Sequence, residues 1–278
     1  MGSETLLNPT TQRLVETYLK QPAHGLLLSG QKGAGLSTIA QMVASRIDMK
    51  GTLREVLPDE KGTIAIETVR SLYKLTRTHR DTALIIVIDD AESMGREAQN
   101  ALLKLLEEPT ENVYFILTSH MPQLLLPTIT SRLQRIDVLP LPTTLWETLI
   151  ETGTAPAKRA QLTFLARGLP AELTRLQADE AYFAGRVART KDARAFLEGD
   201  SYTRLILAKE YGGERTSALE FLGSLSQLLT FTLLSGQQVS LIASLELIEE
   251  VSERLRQNAH VKTQLTYLVT RLATSGTI

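Results

Sequence analysis

Cysteine is absent from all 278 residues. That excludes a disulfide framework, a zinc ribbon and thiolate catalysis, and it fits a reducing compartment. Aromatic residues are scarce at 5%, with Trp146 the single tryptophan, so the chain offers no stacking platform for unpaired bases. Neither sign of charge is in excess, since 30 Lys and Arg face 31 Asp and Glu for a net charge of -1. A chain so balanced is not a general polyanion binder, and any nucleic-acid contact must come from a local patch. Long hydrophobic runs are missing too: the best, ALIIVI at Ala83 to Ile88, falls far short of the about 18 residues of a membrane helix. The opening MGSETLLNPT lacks a basic segment and an apolar core for export, and Leu6 interrupts the lipidation pattern, so a cytoplasmic location is expected. What remains, 43% hydrophobic and 22% charged, is ordinary globular composition with room for two or three domains.

The character of the chain changes near Pro140 and Pro142. Before them, short apolar runs alternate with helical patterns: GLLLS ending at Ser29, REVLP at Pro58, ALIIVID at Asp89, VYFILTS at Ser119 and RIDVLP at Pro140. Apolar strands interleaved with helices predict a parallel sheet covered on both faces. After the prolines the strand signals stop. Short helices are expected over 158–184, and apolar residues recur at three- and four-residue steps over 219–234 and 241–272, including Leu222, Leu225, Leu229, Leu245, Ile248, Leu255, Leu265 and Leu268. Gly212 and Gly213 separate two helices, and a hinge is expected over 194–200.

Two motifs carry chemistry. GQKGAGLST, Gly30 to Thr38, follows a strand and opens a helix, as a phosphate-binding loop does. Gly30, Gly33 and Gly35 supply the turn, and Ser37 and Thr38 supply hydroxyls, but Leu36 stands where such loops carry lysine. A leucine cannot bind phosphate, so affinity falls and catalysis falls further. Lys32 offers a substitute charge inside the loop, or is a solvated surface lysine. The second motif, ALIIVIDDAE, ends a strand in Asp89 and Asp90. The first acid at such a tip holds Mg²⁺ and the next polarises the attacking water. Asp90 is shorter than the glutamate normally found there by one C–C bond, about 1.5 Å, and a base must lie within hydrogen-bond reach of its proton. On its own an acid at a strand end also serves as a helix cap.

The run from Ile88 to Pro142, with AQNALLKLLEEP, LLPTITSR and the lead-in PAHGLLLSG, resembles the bacterial clamp-loader ATPase-type subunits, the delta-prime and gamma/tau relatives within the AAA+ superfamily. The resemblance covers about residues 22–142; beyond them only helical character agrees. It implies an AAA+ P-loop α/β domain over 1–140, a small helical lid over 141–195 and a C-terminal helical collar over 196–278. It also implies four departures from active members: Leu36 for lysine, Asp90 for glutamate, His120 for asparagine, and Glu172 where the middle domain carries arginine, with the register there open by one or two residues. The zinc-binding cysteines of many relatives are missing. Arg132 in TITSRL matches the arginine finger that reaches the ATP site of a neighbouring subunit. Its guanidinium is always charged and forks onto phosphate oxygens.

The combination points to a delta-prime-like stator, deficient in hydrolysis, that assembles with gamma/tau-like ATPases and a delta-like subunit to load a sliding clamp on primer-template DNA. Two alternatives stay open at the sequence: a divergent active ATPase using Lys32 and Asp90, and a delta-like interaction scaffold. ATP or ADP with Mg²⁺ at the altered loop is likewise open. Lys74, Arg77, His79 and Arg80 cluster on or near one predicted helix, where a weak, salt-dependent DNA contact is expected beside the plainer reading of a solvated face.

Overall fold

A computed structural model describes residues 6–77, 81–236 and 240–272. The chain divides into two compact units, Met1–Ala178 and Asp179–Ile278.

The first unit is built on five parallel strands. They are β1 (Gly25–Gly30), β2 (Thr52–Val56), β3 (Leu84–Ile88), β4 (Val113–Ser119) and β5 (Gln134–Val138), in the spatial order β2-β3-β4-β1-β5. All five apolar runs read from the sequence are strands. The central three are buried almost throughout, as a sheet covered on both faces requires. α1 (Pro9–Lys20) precedes the first strand, and between the strands run α2 (Leu36–Ile47), α3 (Ile66–Thr76), α4 (Arg96–Glu107) and the short α5 (Pro127–Thr130). One apolar layer joins Leu27, Ile86, Phe115 and Leu117 to the inner faces of α3 and α4. The other joins Leu26, Leu28, Val87 and Ile116 to α1 and α2. β2 departs from expectation. It begins at Thr52, and its first four residues are exposed, because its outer edge pairs with no other strand of the sheet.

Past Pro142 the first unit continues through α6 (Thr143–Trp146), α7 (Pro156–Ala166) and α8 (Pro170–Ala178). Arg167 and Gly168, both at positive φ, turn the chain from α7 into α8. The Gly168 carbonyl accepts the N–H of Leu141 at 2.8 Å, tying this turn back to the end of the sheet.

The second unit is helical among its described residues: α9 (Glu180–Glu198), α10 (Ser201–Glu210), α11 (Arg215–Gly236), α12 (Ser240–Arg256) and α13 (Val261–Arg271). The hinge expected over 194–200 is corrected. Arg194 to Glu198 continue α9, and the break is confined to Gly199 and Asp200, whose carboxylate caps α10 through the Thr203 N–H at 2.8 Å. The periodic stretch 241–272 is two helices separated near Asn258, which takes φ 68°. Gly212 and Gly213 form a single 3-10 turn between α10 and α11. Among the described helices one, α11, is long and apolar enough to cross a membrane by length and composition alone. Ala218, Phe221, Leu222, Leu225 and Leu229 of that helix are buried, and it packs against α9 and α12 as the unit's central helix.

Candidate nucleotide site and the arginine beyond it

The loop after β1 has the backbone of a phosphate cradle. Gly33 and Gly35 adopt φ 93° and 81°, the left-handed region where a side chain is strained, and Gly35 leads directly into α2. Leu36 does not project into this cradle. It is 2% exposed, lies 3.2 Å from where a Cβ on Gly30 would sit, and belongs to the apolar layer under α1 and α2. The position that should carry an ammonium is therefore part of the core. Ser37 and Thr38 are exposed on the first turn of α2, and Lys32 is exposed on the loop.

The acids at the tip of β3 are held by their neighbours. Ser37 Oγ lies 2.8 and 2.7 Å from the two Asp89 oxygens, and Thr118 Oγ1 donates to Asp89 at 2.5 Å while accepting the Asp90 N–H at 3.0 Å. Asp90 itself is at φ 46°. Burial, opposed chiefly by His120, pushes its carboxyl above the usual range. His120 Nδ1 is 2.9 Å from the Gly30 carbonyl, so that nitrogen carries a proton, and its Nε2 faces Asp90 Oδ1 at 3.5 Å. Glu92 fixes this arrangement from behind, accepting the N–H groups of His120 and Met121 at 2.9 and 3.2 Å. The histidine at the asparagine position thus spends its ring on the loop backbone and on Asp90.

The N-terminus of α8 closes the loop from above. Pro170 occupies its first position, and the free N–H groups of Ala171 and Glu172 both donate to the Gly33 carbonyl, at 3.0 and 3.2 Å. A Cβ on Gly33 would lie 2.9 Å from Glu172 Cβ. These two N–H groups at the start of α8 are thus satisfied by the backbone of the loop. Glu172, the residue read at the arginine position of the middle domain, sits at this contact. Ser37 and Asp89 are oxygen donors of the kind Mg²⁺ accepts. The anion half of the site lacks the lysine ammonium, because Leu36 is core. Among the described residues no group of three or more His, Asp or Glu could hold a metal by protein ligands alone.

Arg132 lies at the other end of the sheet. A Cβ on Gly25, the first residue of β1, would be 3.4 Å from the Arg132 carbonyl, whereas the phosphate loop follows Gly30, the last. Five residue steps along a strand are about 16 Å, so Arg132 is remote from its own loop. Its Nη2 pairs with Glu107 at 2.8 Å and its Nη1 donates to the Thr128 carbonyl at 2.8 Å.

Of the basic cluster, Lys74 is on α3 and Arg77 ends it, while His79 and Arg80 lie outside the described residues. Missed at the sequence was a groove of about 530 Å³ between α3 and α4, lined by Arg70, Tyr73, Glu97, Asn100 and Lys104. Also missed was Gln99, 3% exposed, whose amide donates to the Met94 and Leu124 carbonyls and accepts the Leu126 N–H. Its place between Ala98 and the apolar positions of a helix gave no sign of a polar linchpin.

A parallel sheet in this order, a glycine loop opening a helix at the tip of β1 and paired acids at the tip of β3 define a P-loop-like α/β fold. The fold agrees with that of a DNA polymerase III gamma subunit-related protein from Thermotoga maritima, at TM-score 0.56 and 16% identity over 94% of this chain and 97% of that one. Residues 52–142, which include Asp89, Asp90, His120 and Arg132, match the family described as DNA polymerase III, delta subunit. The chain is 32% identical over 177 residues to DNA polymerase III subunit delta' of Pseudomonas aeruginosa, covering 55% of this chain and 49% of that protein. It is 43% identical over 81 residues to the subunit of the same name from Yersinia pestis, covering 28% and 24%. The chain thus spans about half the length or less of these relatives.

Proposed function

We propose that this chain is a subunit of a DNA polymerase III clamp loader that does not hydrolyse ATP itself and gives Arg132 to the ATP site of a neighbouring subunit. The observation that carries this reading is the opposition of two ends of one sheet. At the loop end, Leu36 is buried and α8 is bonded to Gly33. At the other, the Arg132 side chain keeps 36% exposure. An arginine about five strand residues from its own loop can reach a phosphate only on another molecule. Guanidinium suits that role, and such a finger contributes roughly 10³ to 10⁵ in rate. The partners would be gamma/tau-like ATPase subunits and a delta-like subunit, with the sliding clamp and primer-template DNA met through the complex in the cytoplasm.

The test is reconstitution with the cognate loader ATPase, delta-like subunit and clamp on primed DNA. Arg132→Ala is expected to leave assembly intact and to lower ATP turnover of the complex at least a hundredfold per affected site. Turnover equal to that of the unaltered complex refutes the finger role.

A further inference from the structure

We propose that Glu107 is a positioning residue for Arg132, holding its guanidinium in the orientation in which it meets a neighbour's phosphate; this rests on the finger reading above. Glu107 is the last residue of α4, and Glu108 caps that helix. Carbonyl groups make a helix C-terminus the negative end, so a carboxylate there is disfavoured by its own helix. Glu97, in the first turn, stands at the favourable end. What Glu107 gains in exchange is Arg132: its Oε1 accepts from Nη2 at 2.8 Å.

The guanidinium is held on a second side by α5. Nη1 donates to the Thr128 carbonyl at 2.8 Å and approaches Ser131 Oγ at 3.5 Å, while the Arg132 backbone N–H donates to the Ile129 carbonyl at 3.0 Å. α4 and α5 pack together, so the two anchors come from neighbouring helices of the first unit. A guanidinium carries five N–H donors in a fixed plane. These bonds engage Nη1 and one Nη2 hydrogen, and among the described residues Nε makes no bond, so donors remain for an incoming anion.

Stability alone does not account for the pair. Its side chains are 36% and 47% exposed, and ion pairs that open to water contribute little to folding. Orientation is a different matter, since a functional group must be held to about 0.5 Å and 10–20° by its supports. A flexible arginine anchored at one side only would sample many poses; Glu107 removes that freedom in advance.

The experiment uses the full chain in the reconstituted loader, with steady-state kcat and KM for ATP measured on primed DNA. Glu107→Ala is expected to lower kcat roughly 10-fold to 100-fold with KM for ATP and complex assembly unchanged. Glu107→Gln, which keeps an acceptor without the charge, is expected to recover most of the loss. In the Arg132→Ala background, Glu107→Ala is expected to change nothing more. Unchanged kcat in Glu107→Ala beside a large loss in Arg132→Ala overturns the positioning role and keeps the finger. Unchanged kcat in Arg132→Ala overturns both. A Glu107→Ala loss that persists without Arg132, or that appears in KM or assembly, shows that Glu107 acts through something other than Arg132 and also overturns the proposal.

Discussion

Restoring the loop lysine by Leu36→Lys tests whether charge alone separates this loop from a working one. Leu36 is 2% exposed and packs in the layer that contains Ile39, Val43 and Val138. Burying a leucine contributes about 1.5–3 kcal/mol. A lysine can lay its methylene stem along part of the same surface while its ammonium seeks water, recovering some of that. The net loss is about 1–3 kcal/mol, which for a unit of this size lowers Tm by roughly 2–12 °C. The other altered positions, Asp90, His120 and Glu172, are unchanged in this variant, so one ammonium is not expected to rebuild the site. A nucleotide bound at a hundred times its Kd would raise stability by about 2.7 kcal/mol. We expect thermal melts of the variant to show the drop in Tm and no compensating rise with millimolar ATP and Mg²⁺, and phosphate release to stay at background. Turnover by the isolated variant of about 1 s⁻¹, the low end for working enzymes, would refute the reasoning, and so would an ATP-dependent rise in Tm.

Arg204 is 2% exposed and donates to the carbonyls of Phe196 and Leu197 at 2.9 Å each and of Leu272 at 3.3 Å. Arg204→Ala leaves three buried carbonyls without their charged donor and is expected to cost about 3–5 kcal/mol in urea unfolding, with Arg204→Lys restoring only part because an ammonium lacks the fork; a cost under about 1 kcal/mol refutes it. Asp90 has a folded pKa above its unfolded one, so its ionised form is penalised once the pH exceeds the usual carboxylate value, and the penalty disappears as the pH falls below it. Asp90→Asn should therefore raise Tm at pH 7 by an amount that shrinks toward pH 3.5, as melts across that range will show; a gain that grows on acidification contradicts the burial argument.

The strands were legible because a sheet covered on both faces demands continuous apolar runs, and the loop and acids were legible because their spacing is fixed by the turn that presents them. Leu36 could be read as a missing charge, but not as a piece of the core. Its direction depends on Val138 and Gly30, which the fold alone brings beside it. The contact of α8 with Gly33 escaped for a related reason: it joins N–H and C=O groups, which every residue but proline possesses, across 138 positions. Arg204 read as one more charged residue in a helix, since nothing local marks the helix ends that converge on it. Glu107 lay inside a recognised segment, yet its partner sits 25 residues on, beyond a strand and a turn.

The joint between the loop and α8 has a consequence for mutational drift. Because it is written in main-chain atoms, replacing Ala171 or Glu172 by almost any other amino acid leaves its donors in place. Proline is the exception, having no N–H to give. Side chains around the loop can therefore drift one at a time while the two parts of the first unit stay fastened.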